Sequence, residues 1–148
     1  MPNLMSTSNE AVNDTLSVKR AAPPWRSFSK AYWDASREKK LLVQYDPRSK
    51  RYQHYPRPVS IVTGHTGLEW REVSGQGEVF TFTIARRTRE PFAGNEPFFI
   101  VMVTLDEGVN VMANMVICTQ AQMKIGLRVK PYWAPLPNGT HLLMFEPA

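Results

Sequence analysis

The chain has 148 residues, is 43% hydrophobic and 21% charged, and carries a formal net charge of +5 with a single cysteine. That length suits one compact domain with a modest core and excludes a large multidomain enzyme. No run approaches the ~20 apolar residues that a helix needs to cross a bilayer, so the sequence predicts a soluble protein that does not span a membrane.

The lone thiol, Cys118, closes no disulfide within the chain and is too few for a thiolate zinc site. The opening MPNLMSTSNEAVNDTLSVKR lacks a basic stretch followed by an apolar run, so no secretory leader is expected and the cytoplasm is the expected location.

Residues 1–22 are rich in Ser, Thr, Asn and Ala and nearly free of aromatics. Such a segment buries too little surface to offset the entropy of ordering, and it is predicted to be a disordered tail. Residues 23–40 form the predicted N-terminal helix. Trp25, Phe28, Tyr32 and Ala35 fall three or four apart on one stripe, and Pro23 and Pro24 suit its first turn. That stripe packs on the rest of the domain or docks on another subunit.

Strands follow. Leu41–Tyr45 and Arg51–Tyr55 flank Asp46-Pro47-Arg48-Ser49, a turn with Pro where its fixed φ is useful, and read as a hairpin. From Glu78 to Ala85, Phe80, Phe82 and Ile84 alternate with Thr81 and Thr83; Pro97–Leu105 is continuously apolar; Val109–Ile117 alternates around Asn110 and Asn114. Asp106-Glu107-Gly108 joins the last two as a tight antiparallel connection. Leu127–Trp133 gives a fourth strand, and His141–Phe145, after Pro135-Leu136-Pro137-Asn138-Gly139, a fifth. Five strands in a mostly antiparallel meander close best as a small barrel of the OB type, which removes exposed edges; an open sandwich is the rival.

These pieces together resemble the DUF35 family. The motifs are Tyr55-Pro56-Arg57-Pro58, then Leu68-Glu69-Trp70 followed by Gly75-Gln76-Gly77, then Leu105-Asp106-Glu107-Gly108, and the resemblance covers nearly everything after Pro23. It implies a mainly β chain: an N-terminal helix, a rubredoxin-like ribbon over residues 41–67, and a five-stranded OB-fold barrel over residues 68–148. Family members usually bind zinc with two CxxC pairs. In this sequence Tyr45 and Arg48 stand at the first and Ser60 and Thr63 at the second. Neutral hydroxyls and a permanent cation are poor zinc ligands, so the ribbon is predicted to be metal-free, with no zinc. Burial of Tyr45, Tyr52, Tyr55, Val59, Ile61 and Val62 is the expected substitute for the metal's contribution. His54 and His65 are not expected to replace it.

The resemblance further implies a non-catalytic accessory subunit of a thiolase-fold or lipid-transfer-like enzyme, buttressing that partner's active site and helping to bind acyl-CoA. No tightly bound cofactor is expected; CoA or acyl-CoA would be shared with the partner, and self-association is the alternative when the partner is missing. The residues agree with a non-catalytic role. No GxSxG elbow occurs, Cys118 follows an apolar strand, His141 has no acid near it in sequence, and Asp106 and Glu107 occupy a turn. Gly75-Gln76-Gly77 lacks the further glycines of a dinucleotide loop.

The positive charge is concentrated. Residues 37–57 hold seven cations, Arg37, Lys39, Lys40, Arg48, Lys50, Arg51 and Arg57, against Glu38 and Asp46. This is a solvated surface, or it attracts the phosphates of CoA or an acidic patch; on charge placement alone, Arg48, Lys50, Arg51 and Arg57 are the candidate CoA-phosphate contacts. Arg86, Arg87 and Arg89 precede a Pro91–Asn95 loop, which reads as a solvent-facing turn or, in an OB-like barrel, as a border of a binding groove. The alternative function is an OB-fold nucleic-acid-binding protein, built on a positive groove with aromatic platforms. Against it, the strands themselves offer few basic side chains.

Overall fold

A computed structural model describes residues 20–148. The tail expected over residues 1–22 lies outside the described residues up to position 19. The helix expected over residues 23–40 is shorter, because α1 is Lys30–Ser36, preceded by a 3-10 turn at Ser27–Ser29. Pro23 and Pro24 hold the chain off the helical path, since neither offers an N–H and each disfavours helical geometry in the residue before it. Trp25 therefore lies outside the helix and is half exposed. At the other end Lys39 turns left-handed (φ 58°). The N–H groups of Lys39 and Lys40 then close onto the carbonyls of Ser36 and Ala35 at 3.0 and 3.1 Å, which satisfies the last turn and stops the helix.

Three strands come next. Leu41–Asp46 (β1) pairs antiparallel with both Arg51–Gln53 (β2) and Glu69–Val73 (β3), giving the order β2-β1-β3. The β1–β2 hairpin lies where the turn chemistry of Asp46–Ser49 puts it. The sequence reading found no strand at β3, because Glu69, Arg71 and Glu72 are exposed and the five residues carry no alternation of apolar and polar side chains.

The remaining five strands close a barrel: Gly77–Ala85 (β4), Phe98–Leu105 (β5), Asn110–Met115 (β6), Arg128–Pro135 (β7) and His141–Pro147 (β8), in the order β4-β5-β6-β8-β7. This is the OB-type barrel expected from the sequence, in a mainly β chain. Alternation decides what faces inward. On β5, Phe99, Val101, Val103 and Leu105 are buried, and Val79, Val111, Met115, Val129, Leu143 and Phe145 meet them from the other four strands. Leu41, Val43 and Val73 join the same core, so the three-stranded sheet is fused to the barrel.

Two further contacts fix the architecture. A Cβ at Gly77 would stand 2.3 Å from the Thr104 carbonyl oxygen, so only glycine lets β4 pair with β5 and β7 at the barrel's closing point. Ser36 ties α1 to the start of β8: its hydroxyl accepts the His141 N–H at 3.2 Å, and its carbonyl meets the His141 Nδ1 at 2.8 Å.

Candidate functional site

The four positions that correspond to zinc cysteines fall on a polar knuckle. Asp46 ends β1 and is 3% exposed. Its Oδ2 accepts the hydroxyls of Ser60 at 2.6 Å, Ser49 at 2.9 Å and Thr63 at 2.9 Å, and its Oδ1 accepts the Arg48 N–H at 2.9 Å. These donors, Ser60 foremost, hold the carboxyl well below the usual carboxylate range. Ser60 in turn accepts the N–H groups of Val62 and Thr63 at 3.2 and 3.1 Å.

Two buried glutamines hold the base of the knuckle. Gln44 binds Arg57 through both its N–H (2.9 Å) and its carbonyl (2.8 Å). Gln53 donates to Gln44 at 2.9 Å and to the Val59 carbonyl at 3.1 Å, and accepts the Ile61 N–H at 2.9 Å. Side-chain amides thus supply the backbone of residues 57–61 with partners that a sheet would otherwise provide.

The expectation that aromatic and aliphatic burial orders this segment is therefore corrected. Tyr55, Val59, Ile61 and Val62 are exposed, and hydrogen bonds hold the loop. Only Tyr45 and Tyr52 make the expected contact, edge to face at 4.9 Å, with the Arg71 guanidinium stacked on Tyr45 at 3.5 Å. Zinc does not suit this donor set. Ser60 and Thr63 converge on Asp46, but Tyr45 is turned to Tyr52, and the Arg48 guanidinium lies 2.5 Å from His65 Nε2. A single carboxylate already committed to four donors, with protonated hydroxyls around it, offers no tetrahedral soft-ligand cage. Among the described residues no three His, Cys, Asp or Glu side chains gather as metal ligands.

The candidate CoA-phosphate contacts Arg48, Lys50, Arg51 and Arg57 are all exposed on this knuckle. None of them lines the three hollows described below. The basic loop that does border one is the other group, through Arg87.

That hollow lies across the outer face of β5 and β6, where OB barrels commonly take their ligands. It encloses about 500 Å³ between Ile100 on β5, Met112, Ala113 and Asn114 on β6, Leu142 and Leu143 on β8, and Ala85, Arg87, Thr88, Phe92 and Phe98 on or beside the β4–β5 loop; Arg20 closes one end. Two smaller hollows adjoin it. One, of about 330 Å³, shares Arg20, Phe92 and Leu142 with it and adds Pro23, Pro91 and Leu136. The other, of about 300 Å³, shares Met112, Leu142 and Leu143 and is walled by Tyr32, Trp33, His54 and Tyr55. Together they form one apolar groove with Leu142 at its centre.

The groove exists because β6 and β8 run parallel yet pair only at Met115 and Phe145. From that single bridge the strands diverge towards Met112 and Leu142. The Tyr55 hydroxyl caps the Met112 N–H at 3.0 Å, in place of a neighbouring strand. His54 packs between Tyr32 and Tyr55, with ring centroids 5.8 and 4.3 Å away. Burial lowers its pKa to about 4, so the aromatic end of the groove is uncharged at neutral pH.

The opposite end is cationic. The Arg20 guanidinium donates to Asn114 Oδ1 at 2.9 Å and lies 5.1 Å from the Phe92 ring centroid. Sequence reasoning missed Arg20 and His54 as site residues. Both depend on contacts between distant segments, and no local spacing announces them.

Neither end holds a recognisable nucleophile with its base. Cys118 is buried, and the His141 ring is engaged by Ser36. Across the outer face, Thr81, Met102 and Met112 stand side by side on β4, β5 and β6, and Phe80 (60%) and Met112 (56%) are largely exposed. β5 and β6 contain no Lys or Arg, and Phe92, the aromatic at the groove's mouth, already carries Arg20, so the face lacks the cationic track of a nucleic-acid groove.

A family model described as ChsH2, C-terminal OB-fold domain, matches residues 70–134. A probable enoyl-CoA hydratase alpha subunit of Thermomonospora curvata is 27% identical over 119 residues, which cover 80% of this chain and 37% of that protein. A DUF35 domain-containing scaffold protein of Pyrococcus furiosus is 29% identical over 99 residues, covering 67% of this chain and 73% of the relative. The chain thus spans little more than a third of the first of these relatives. Among solved structures, the Ltp2-ChsH2(DUF35) aldolase is 24% identical with a TM-score of 0.76, covering 85% of this chain and 98% of the matched chain.

Proposed function

We propose, from the premise that this chain belongs to the DUF35 family, that it is a non-catalytic accessory subunit of a thiolase-fold enzyme that processes acyl-CoA. The observation that carries the reading is the outer barrel face: Phe80, at the bulge of β4, and Met112 on β6 are largely exposed, and β5, which runs between those two strands, and β6 bear no charged residue. Large apolar side chains left exposed on one barrel face in this way suit a protein interface. Relatives named as scaffold proteins, and a similar chain within a two-component aldolase, support it. The partner would carry the chemistry and this chain would shape its substrate site. The exposed cations of the knuckle, Arg48, Lys50, Arg51 and Arg57, are proposed as its contacts to CoA phosphates.

Affinity purification of the full chain from its native cells tests this. The expected result is a thiolase-fold subunit at near-equal stoichiometry, lost from a Phe80→Asp, Met112→Asp variant that remains folded. Recovery of the chain alone, or turnover of a thioester by the isolated chain, overturns the proposal.

A further inference from the structure

The groove over the β6–β8 seam has an unusual distribution of polarity. Among the described residues, none of the side chains lining its three hollows is acidic, and the charged groups on its walls are Arg20 and Arg87. Arg20 is placed rather than loose. Its guanidinium is braced by Asn114 and by the Phe92 ring, while its Nε is buried without a hydrogen-bond partner among the described residues. Burial lowers its pKa. A fixed, partly dehydrated cation with an open donor is half of a charge-assisted hydrogen bond. On the neighbouring loop, the Glu96 carboxylate is already occupied by Thr88 and by the Gly94 N–H at 2.7 Å.

Beyond the cations the walls are apolar. Ile100, Ala113, Leu142 and Leu143 run from the Arg20 end towards Met112, and the path continues between Trp33 and Tyr55. The volume of the main hollow, about 500 Å³, falls within the range of small-molecule sites, roughly 300–1,000 Å³.

From this we infer that the groove is a binding site for an amphiphilic anion, whose head group is held by Arg20 and Arg87 and whose hydrocarbon chain lies along Leu142 towards Met112 and Tyr55. The inference builds on the accessory-subunit reading, but it concerns this chain alone and is tested without a partner. Both a fatty carboxylate and a phosphorylated lipid or carrier present the required chemistry.

The test is an amide chemical-shift titration of the full chain with decanoate, decyl phosphate and decanol. Saturable binding of one equivalent of decanoate or decyl phosphate is expected, with shifts confined to residues lining the groove. Whichever anion binds tighter identifies the head group. Decanol should bind at least about tenfold more weakly than that anion, the loss expected for one charged hydrogen bond. Arg87→Gln, at an exposed position, should weaken the anions by a similar factor and leave decanol unchanged, and Arg20→Gln should do the same. The Arg87 variant keeps the test readable if loss of Arg20 disturbs Phe92. Equal affinity for anion and alcohol, unsaturable uptake of many equivalents, or shifts clustered away from the groove would each overturn the inference. None of these outcomes depends on whether a thiolase-fold partner is recovered.

Discussion

Replacing Ser60 by Ala removes the shortest contact to Asp46, the 2.6 Å hydroxyl donation, and also the acceptor for the Val62 and Thr63 N–H groups. A hydrogen bond to an ionised group is worth about 1.5–3 kcal/mol, and stranding part-buried N–H groups adds to the loss, so a destabilisation of roughly 2–4 kcal/mol is expected. For a chain of this size that corresponds to a fall in Tm of roughly 6–12 °C. Differential scanning calorimetry at neutral pH reads the global effect, and amide hydrogen exchange at residues 60–64 reads the local one. The acid limb gives an independent check. Asp46 has a folded pKa below its unfolded value near ~3.9. Its stabilisation is therefore present above that value and is lost as pH falls through it towards the folded pKa. Weakening the principal donor brings the two values together, so the acid-induced loss of stability should be shallower in the variant. A Tm within about 1 °C of the parent together with unchanged exchange at 60–64 would refute the claim that this cluster holds the knuckle.

Gly77→Ala should be far more damaging than its size suggests, because the added Cβ meets the Thr104 carbonyl and Leu105 Cα, backbone atoms that belong to β5. A loss of about 3 kcal/mol or more is expected in urea denaturation, whereas Gly67→Ala, with open space around it, should change little. His54 binds its proton less readily folded than unfolded, with a pKa near 4 against an unfolded value of about 6.5. Stability should therefore fall as pH drops from 6.5 towards 4, by up to about 3 kcal/mol. His54→Phe should flatten that interval in thermal melts at successive pH values, and an unchanged slope would show that another group is responsible.

The barrel was legible because its strands are written in alternation. Odd positions of β5 and β6, and Phe82 and Ile84 of β4, carry apolar side chains to one face, and a period of two cannot be mistaken for a helix; Phe80, expected in the same alternation, is instead turned outward by the bulge between Val79 and Thr81, which brings Val79 into the core. The helix was overextended because the stripe Trp25, Phe28, Tyr32, Ala35 has helical spacing, while two prolines and a left-handed Lys39 bound the real element on either side. The knuckle misled for a different reason. Absent thiols suggest a deficit to be filled by the nearest aromatics, yet the residue that fills it is Asp46, which the sequence presents as a turn former beside Pro47 and as one acid among seven cations. A carboxylate that collects hydroxyls from positions 49, 60 and 63 has no local sequence period. It is recognisable only once the strand pairing brings β1 beneath the 57–63 loop.

The candidate site follows from topology more than from any motif. In a five-stranded barrel of this connectivity the third and fifth strands run parallel, so no tight hairpin can join them to fix their register. Here they touch at one bridge, Met115 and Phe145, and the open part of the seam must be covered by groups from elsewhere. Tyr55 from the knuckle, Tyr32 and Trp33 from α1, and Arg20 from the segment before it all reach this one opening. The knuckle is thus a wall of the groove as well as a separate module, since the loop ordered around Asp46 and Gln53 also holds Tyr55 in place over Met112. Loss of Ser60 should accordingly weaken ligand binding at the groove, even though no atom of Ser60 lines it.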